Sequence, residues 1–130
     1  MKSELLYLTY VAVFTGLLWV PYILDRVLVR GLISAVGYPV NPKPQSQWAQ
    51  RLMKAHANGV ENLIVFAILV LVANAQGVTN SVTVGACMAY FYARIVHAVA
   101  YTFAISWIRT FAFVLGVFLQ MAIAWQLLIK

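Results

Sequence analysis

Charge is what this chain has least of. Only 9% of its 130 residues are Asp, Glu, Lys or Arg, and only Glu4, Asp25 and Glu61 are acidic. A soluble domain is about 25% charged and about 45–50% apolar. With 64% hydrophobic residues and a mean hydropathy of +0.87, this chain is expected to be an integral membrane protein. Cys87 is the only cysteine, which excludes an intramolecular disulfide and leaves the redox compartment open. In an apolar run it reads as a small buried hydrophobe. His56 and His97 are the only histidines, and no Cys/His/Asp/Glu cluster has ligand spacing, so no metal is expected. A Ser-His-Asp set, a phosphate-cradling glycine loop and a dinucleotide motif are missing, as are internal repeats and low-complexity tracts. There is room for about four spans of about 20–25 residues and for no separate soluble domain.

The apolar runs predict an all-α, four-helix membrane domain over residues 1–130, with spans at about 5–28, 47–75, 81–105 and 109–129. The start has Lys2, Glu4 and then apolar residues without a small-x-small cleavage site before Pro21, so it reads as a retained span. Pro21 can kink that span. Residues 31–47 hold Gly37, Pro39, Asn41, Pro42 and Pro44, which makes them the one long non-helical connection. Span two is about 43 Å long at 1.5 Å per residue, so its first turns, carrying Arg51, Lys54 and His56, project beyond the hydrocarbon. Residues 76–80 read as a tight uncharged turn and residues 106–108 as a very short one. Trp19, Trp48, Trp107 and Trp125 lie near span ends, where tryptophan anchors at the interface.

The net charge of +6 follows topology and does not suggest nucleic acid. Arg26, Arg30, Lys43, Arg51 and Lys54 lie between residues 24 and 56, Arg109 belongs to the same side, and the second turn has no basic residue. The positive-inside rule then expects cytoplasmic first and third loops, with both termini opposite.

Two polar stripes interrupt the apolar runs. Arg51, Lys54, Asn58, Glu61 and Asn62 fall within about 100° on span two, while His56 points to the opposite side. On span three, Tyr90, Arg94, His97 and Tyr101 lie within about 60° of one another. Ionisable groups at membrane depth cost at least about 2.5–3.5 kcal/mol each, so the stripes should face each other or a neighbouring subunit. One reading is structural: Glu61 pairs with Arg94, and Asn58 and His97 are interhelical glue. The other is a ligand site. Arg51, Lys54, Arg94 and Arg109 exceed what Glu61 can neutralise, so the surplus suits a ligand with carboxylates while Glu61 receives an ammonium. A small multidrug-type transporter is a poorer fit, since span one has no acid between residues 5 and 24. A non-catalytic protein binding a lipid headgroup or a partner membrane protein through the same basic rim is the remaining alternative.

The motifs Arg51-x-x-Lys54-Ala55-His56-x-Asn58-x-x-Glu61-Asn62 and Ala93-Arg94-x-x-His97-x-x-x-Tyr101, followed by Arg109-Thr110, resemble the MAPEG family, the membrane-associated proteins in eicosanoid and glutathione metabolism. The resemblance covers nearly the whole chain and is specific in the combination of motifs. It implies a homotrimer of four-helix bundles binding glutathione as co-substrate, without metal, near the cytoplasmic face between subunits. It further implies that Asn58 and Glu61 hold glutathione's polar groups, Glu61 its amino end. Arg51, Lys54 and Arg94 would hold carboxylates or order the site, His97 and Tyr101 line the tripeptide, and Arg26 or Arg30 contribute from span one. Arg109 is implied as the catalytic residue at the thiol. The thiolate would attack a lipophilic electrophile from the bilayer or reduce a lipid hydroperoxide. Lys54 stands where several members carry arginine, and Ala57 where prostaglandin-synthase-like members carry another. The expectation is therefore a general, bacterial-type microsomal-glutathione-transferase-like member, a transferase or peroxidase without eicosanoid specificity.

Overall fold

The computed structural model describes residues 2–129. Its elements in chain order are α1 (Ser3–Leu17), α2 (Trp19–Arg30), α3 (Leu32–Val36), α4 (Gln47–Ala75), α5 (Ser81–Thr102) and α6 (Ser106–Leu128), and no strand occurs among the described residues. Four helical stretches, Ser3–Arg30, Gln47–Ala75, Ser81–Thr102 and Ser106–Leu128, are long and apolar enough to cross a membrane. This is an all-α, multi-pass membrane chain.

The first span is interrupted at Leu18 for a local reason. Pro21 has no N–H to give the Leu17 carbonyl, and Leu18 donates instead to Thr15 three residues back, at 3.3 Å. The remaining turns are set by their ends. α4 stops in a Schellman motif, in which Val78 donates to the Ala73 carbonyl at 2.9 Å and Gly77 to Asn74 at 3.2 Å. Gly77 takes φ +67°, the left-handed conformation that glycine adopts without cost. α5 opens on a capping box: Asn80 Oδ1 accepts from the Val82 and Thr83 amides, and Thr83 Oγ1 accepts from the Asn80 amide.

The third turn differs from the sequence expectation. A second Schellman motif closes α5 at Thr102, with Ile105 donating to Ala100 at 2.8 Å and Ala104 to Tyr101 at 3.2 Å. The left-handed position is Ala104, at φ +60°. The turn therefore lies at residues 103–105, where no glycine marks it. Span three ends at 102 instead of 105, and span four begins at 106 instead of 109. Arg109 consequently sits inside the first turn of α6.

α5 is the central helix, packed against α1, α4 and α6. Besides Thr83, Tyr90, Arg94 and His97, the residues it buries are small: Ala86, Cys87, Ala93, Ala98 and Ala100. Small residues let helices approach closely where lipid offers no hydrophobic contrast. Phe66 and Tyr90 stack at 3.9 Å between ring centres in a core that also holds Val11, Val70, Cys87 and Ile123. Large apolar side chains such as Ile64, Val96, Phe111 and Phe118 cover the outside, as a lipid-facing surface requires.

Candidate functional site

The narrow stripe of α5 turns inward and forms a polar column. Tyr90, Arg94 and His97 are buried and Tyr101 is half-buried, and the four residues span about 16 Å of helix. At its upper end the Arg109 guanidinium lies 4.9 Å above the Tyr101 ring centre, within the range of a cation–π contact. Tyr101 meets His97 edge-on at 5.6 Å. One turn below, Arg94 Nη2 donates to Asn58 Oδ1 at 2.9 Å. Asn62 Nδ2 donates to the Asn58 carbonyl at 2.9 Å and to its Oδ1 at 3.2 Å. Gln120 Nε2, from α6, closes the lower end by donating to the Asn62 carbonyl at 3.1 Å and to Tyr90 Oη at 3.3 Å.

Two features of the column depart from a closed structural network. His97 Nδ1 is the one buried side-chain N or O atom without a partner among the described residues, and buried polar groups are ordinarily satisfied. Arg94 carries five N–H donors, yet its partner is a neutral amide; no ion pair joins it to Glu61 among the described residues.

The stripe on α4 splits in two. Arg51, Asn58 and Asn62 lie within about 40° of one another and all face in. Arg51 reaches α5, where its Nε donates to the Thr102 carbonyl at 2.8 Å. Lys54 and Glu61 occupy the flank of the same face and are exposed on the isolated chain. His56, on the other side, meets Tyr22 of α2, with Nδ1 2.8 Å from the hydroxyl.

A family model, the MAPEG family, matches residues 6–129, nearly the whole chain. The chain belongs to the MAPEG family. No curated protein matches it. At family level, membership carries a membrane-bound, glutathione-related role as transferase, peroxidase or a related function.

In this MAPEG chain Arg26 and Arg30 are committed to holding the first loop. Arg26 Nε donates to Gln45 Oε1 at 3.0 Å and Arg30 Nε to the Lys43 carbonyl at 2.8 Å. Around them the buried Asp25 accepts from the Ser46 amide at 3.1 Å, the Ser46 hydroxyl at 2.5 Å and Gln45 Nε2 at 3.2 Å. That knot fastens the start of α4 to α2. Each guanidinium still has N–H groups beyond the one that the loop takes.

Two apolar grooves of about 440 Å³ each flank the column. One runs between α1, α2, α4 and α5 past Phe14, Pro21, Trp48 and Phe103, and Thr102, whose carbonyl holds Arg51, forms part of its wall. The other lies between α5 and α6 along Tyr92, Val96, Ile108 and Phe111.

Gln120 and the Asp25 knot did not emerge from the motifs. A signal for Gln120 exists: it is a polar residue deep in the apolar stretch of α6, eleven positions after Arg109. That is about three turns, so both residues share one face. Asp25, Gln45 and Ser46 give no comparable pattern, because their contact joins a helix to an irregular loop about 20 residues away in sequence.

Proposed function

We propose that this MAPEG chain is a membrane-embedded, glutathione-dependent transferase or peroxidase, working as a homotrimer with its site at the basic end of the bundle. The observation that carries the reading is unbalanced positive charge. Arg51, Arg94 and Arg109 converge on the C-terminal half of α5, where they meet a carbonyl, an amide and an aromatic ring. Glutathione brings two carboxylates, an ammonium and a thiol to such a place. Arg51, Lys54 and Arg94 would take the carboxylates, Asn58 a polar group, and Glu61 the ammonium. His97 and Tyr101 would line the tripeptide, with Arg26 and Arg30 contributing their remaining N–H groups.

The exposure of Glu61 supports a site completed by a second copy. Glu61 lies about 21 Å along α4 from its start, and a carboxylate facing lipid at depth is costly. A neighbouring subunit would cover both it and the ligand. The basic residues Arg26, Arg30, Lys43, Arg51, Lys54 and Arg109 belong to the first loop, the third turn and their flanking helix ends, which supports a cytoplasmic placement of this end, with both termini opposite.

Arg109 would act on the sulfur. A free thiol, with pKa about 8.5, is only a few per cent ionised near neutrality. A guanidinium within hydrogen-bond reach favours the thiolate, and each unit of lowering is worth about 1.4 kcal/mol. In a transfer reaction the sulfur's electron pair forms a C–S bond as the leaving group departs with its bonding pair. With a lipid hydroperoxide the sulfur attacks the terminal oxygen and the O–O bond breaks. The sulfur keeps that oxygen as a sulfenic acid while the lipid leaves as an alkoxide that is protonated to the alcohol; a second glutathione then forms the S–S bond as the S–O bond breaks and water leaves. The apolar grooves beside the column offer lipophilic co-substrates an approach from the bilayer.

The test is ultraviolet difference absorbance at the thiolate band as glutathione is titrated into detergent-purified protein at neutral pH. A saturable signal is expected. Calorimetric binding without that signal would leave a glutathione binder that does not activate the thiol, and absence of binding would sink the reading altogether.

A further inference from the structure

The short helix α3 is inverted relative to a helix that packs in water. Its small residues Ser34 and Ala35 are the half-buried ones, while Leu32, Ile33 and Val36 are 64%, 87% and 75% exposed. Those three side chains fall within about 100° on the helix, and α3 meets α2. Val40, beyond Gly37, is a further exposed apolar side chain, at 88%. The face is also held in place. The Arg30–Lys43 hydrogen bond closes the loop, and the Asp25–Ser46 and Arg26–Gln45 contacts fasten its far end.

Length and charge indicate what covers it. Ser3–Arg30 is 28 residues, about 42 Å of helix, against about 40–45 Å for a bilayer with its headgroups. Residues 31–44 therefore begin at headgroup level, and the exposed Trp48, in the first turn of α4, belongs to the residue type that marks this level. Between residues 26 and 60 there is no acidic side chain, while Arg26, Arg30, Lys43, Arg51 and Lys54 are basic. A surface of this composition is attracted to anionic lipid and inserts its apolar face among the headgroups.

We propose that residues 31–42 are an interfacial anchor, with Leu32, Ile33, Val36 and Val40 inserted into the leaflet at the basic end and Lys43 against its anionic headgroups. The anchor holds the loop flat on the bilayer beside the start of α4. It does not depend on the glutathione reading.

The experiment places an environment-sensitive fluorophore on Ile33→Cys and, separately, on Val40→Cys in the full chain carrying Cys87→Ala. The protein is reconstituted into phosphatidylcholine–phosphatidylglycerol vesicles. The expected result is blue-shifted emission, lost mostly to lipids bearing a nitroxide near the headgroup and little to aqueous iodide. Quenching by iodide alone would overturn the proposal by placing the loop in water. Protection from both quenchers would overturn it in favour of a protein cover, a second copy included. Cys87 is buried, so selective labelling at position 33 with Cys87 retained gives the same readout should Cys87→Ala disturb the packing.

Discussion

The two ends of α5 both bury polar groups, and they treat them differently. At the N-terminal end Thr83 Oγ1 donates to Glu4 Oε2 of α1 at 2.9 Å. Asn80 caps the helix through its Oδ1 and donates through Nδ2 to Gln126 Oε1 of α6 at 3.0 Å. A carboxylate, a hydroxyl and two amides answer one another across three helices, and the ensemble is closed. At the C-terminal end Arg94, His97, Tyr101 and Arg109 stand in one line with a surplus of donors and a buried imidazole nitrogen that has no partner among the described residues. Satisfied buried polar groups act as glue, whereas surplus ones of a single charge are hard to justify by packing alone. The contrast separates a clamp from a candidate site within one helix.

The largest effect that would test this contrast is at Arg109. Arg109→Ala is expected to abolish the thiolate signal and lower kcat by about 10²–10³-fold, the usual cost of removing one preorganised electrostatic donor. Glutathione affinity should stay within a few-fold. Loss of binding with an intact thiolate fraction in the remaining complex would make Arg109 a carboxylate anchor instead. The mirror experiment is Glu4→Leu at the clamp. The Thr83 hydroxyl keeps the Asn80 carbonyl within reach at 3.0 Å, so losing the charged acceptor should cost on the order of 1 kcal/mol of stability, read as a lower thermal midpoint in detergent, with the thiolate titration unchanged. A change in glutathione affinity there would erase the distinction between the two ends.

Glu61→Gln comes next. If Glu61 receives the ammonium, affinity for glutathione should fall about tenfold, or about 1.4 kcal/mol, while affinity for the deaminated analogue stays as it was. Equal losses for both ligands would assign Glu61 to subunit packing. Gln120→Leu should do less. Interhelical hydrogen bonds in membranes average about 0.6 kcal/mol and reach about 1.7, so a modest loss of stability is expected. A two- to threefold weakening of glutathione binding, on the order of 0.5 kcal/mol, should accompany it, because Gln120 supports Asn62 and through it Asn58. An unchanged affinity would confine Gln120 to the core.

The sequence carried the architecture further than the site. Long apolar runs, the proline-rich stretch and the charge bias predict four spans and the long first connection, though that connection, expected to be non-helical, holds the short helix α3 at Leu32–Val36; α4 (Gln47–Ala75) begins and ends where its pattern suggests. The α5 stripe also reads directly, because four residues within about 60° can face only one way. The α4 stripe did not, since an arc of about 100° is wide enough to span both a helix contact and its exposed flank. Hence Asn58 pairs inward while Lys54 and Glu61 remain outside. The Glu4–Thr83 clamp joins residues 79 apart, and no local periodicity encodes that meeting.

The smallest expected effect concerns the turn that positions Arg109. A non-glycine residue in the left-handed conformation costs roughly 1–2 kcal/mol, and Ala104 sits there at φ +60°. Glycine would relieve that strain, but it also loses about 0.4–1 kcal/mol through the greater freedom of the unfolded chain. Ala104→Gly should therefore raise stability by on the order of 0.5 kcal/mol, a small rise in thermal midpoint. The thiolate signal is the more informative readout. The Ala104–Tyr101 and Ile105–Ala100 hydrogen bonds place the start of α6 relative to Tyr101, on whose ring Arg109 rests. If those bonds and the ring contact hold Arg109 in place, the variant keeps its full thiolate fraction. If the alanine's stiffness is what holds it, the fraction drops even as the protein becomes more stable, and the open end of α5 would owe its chemistry to a strained turn as much as to its charge.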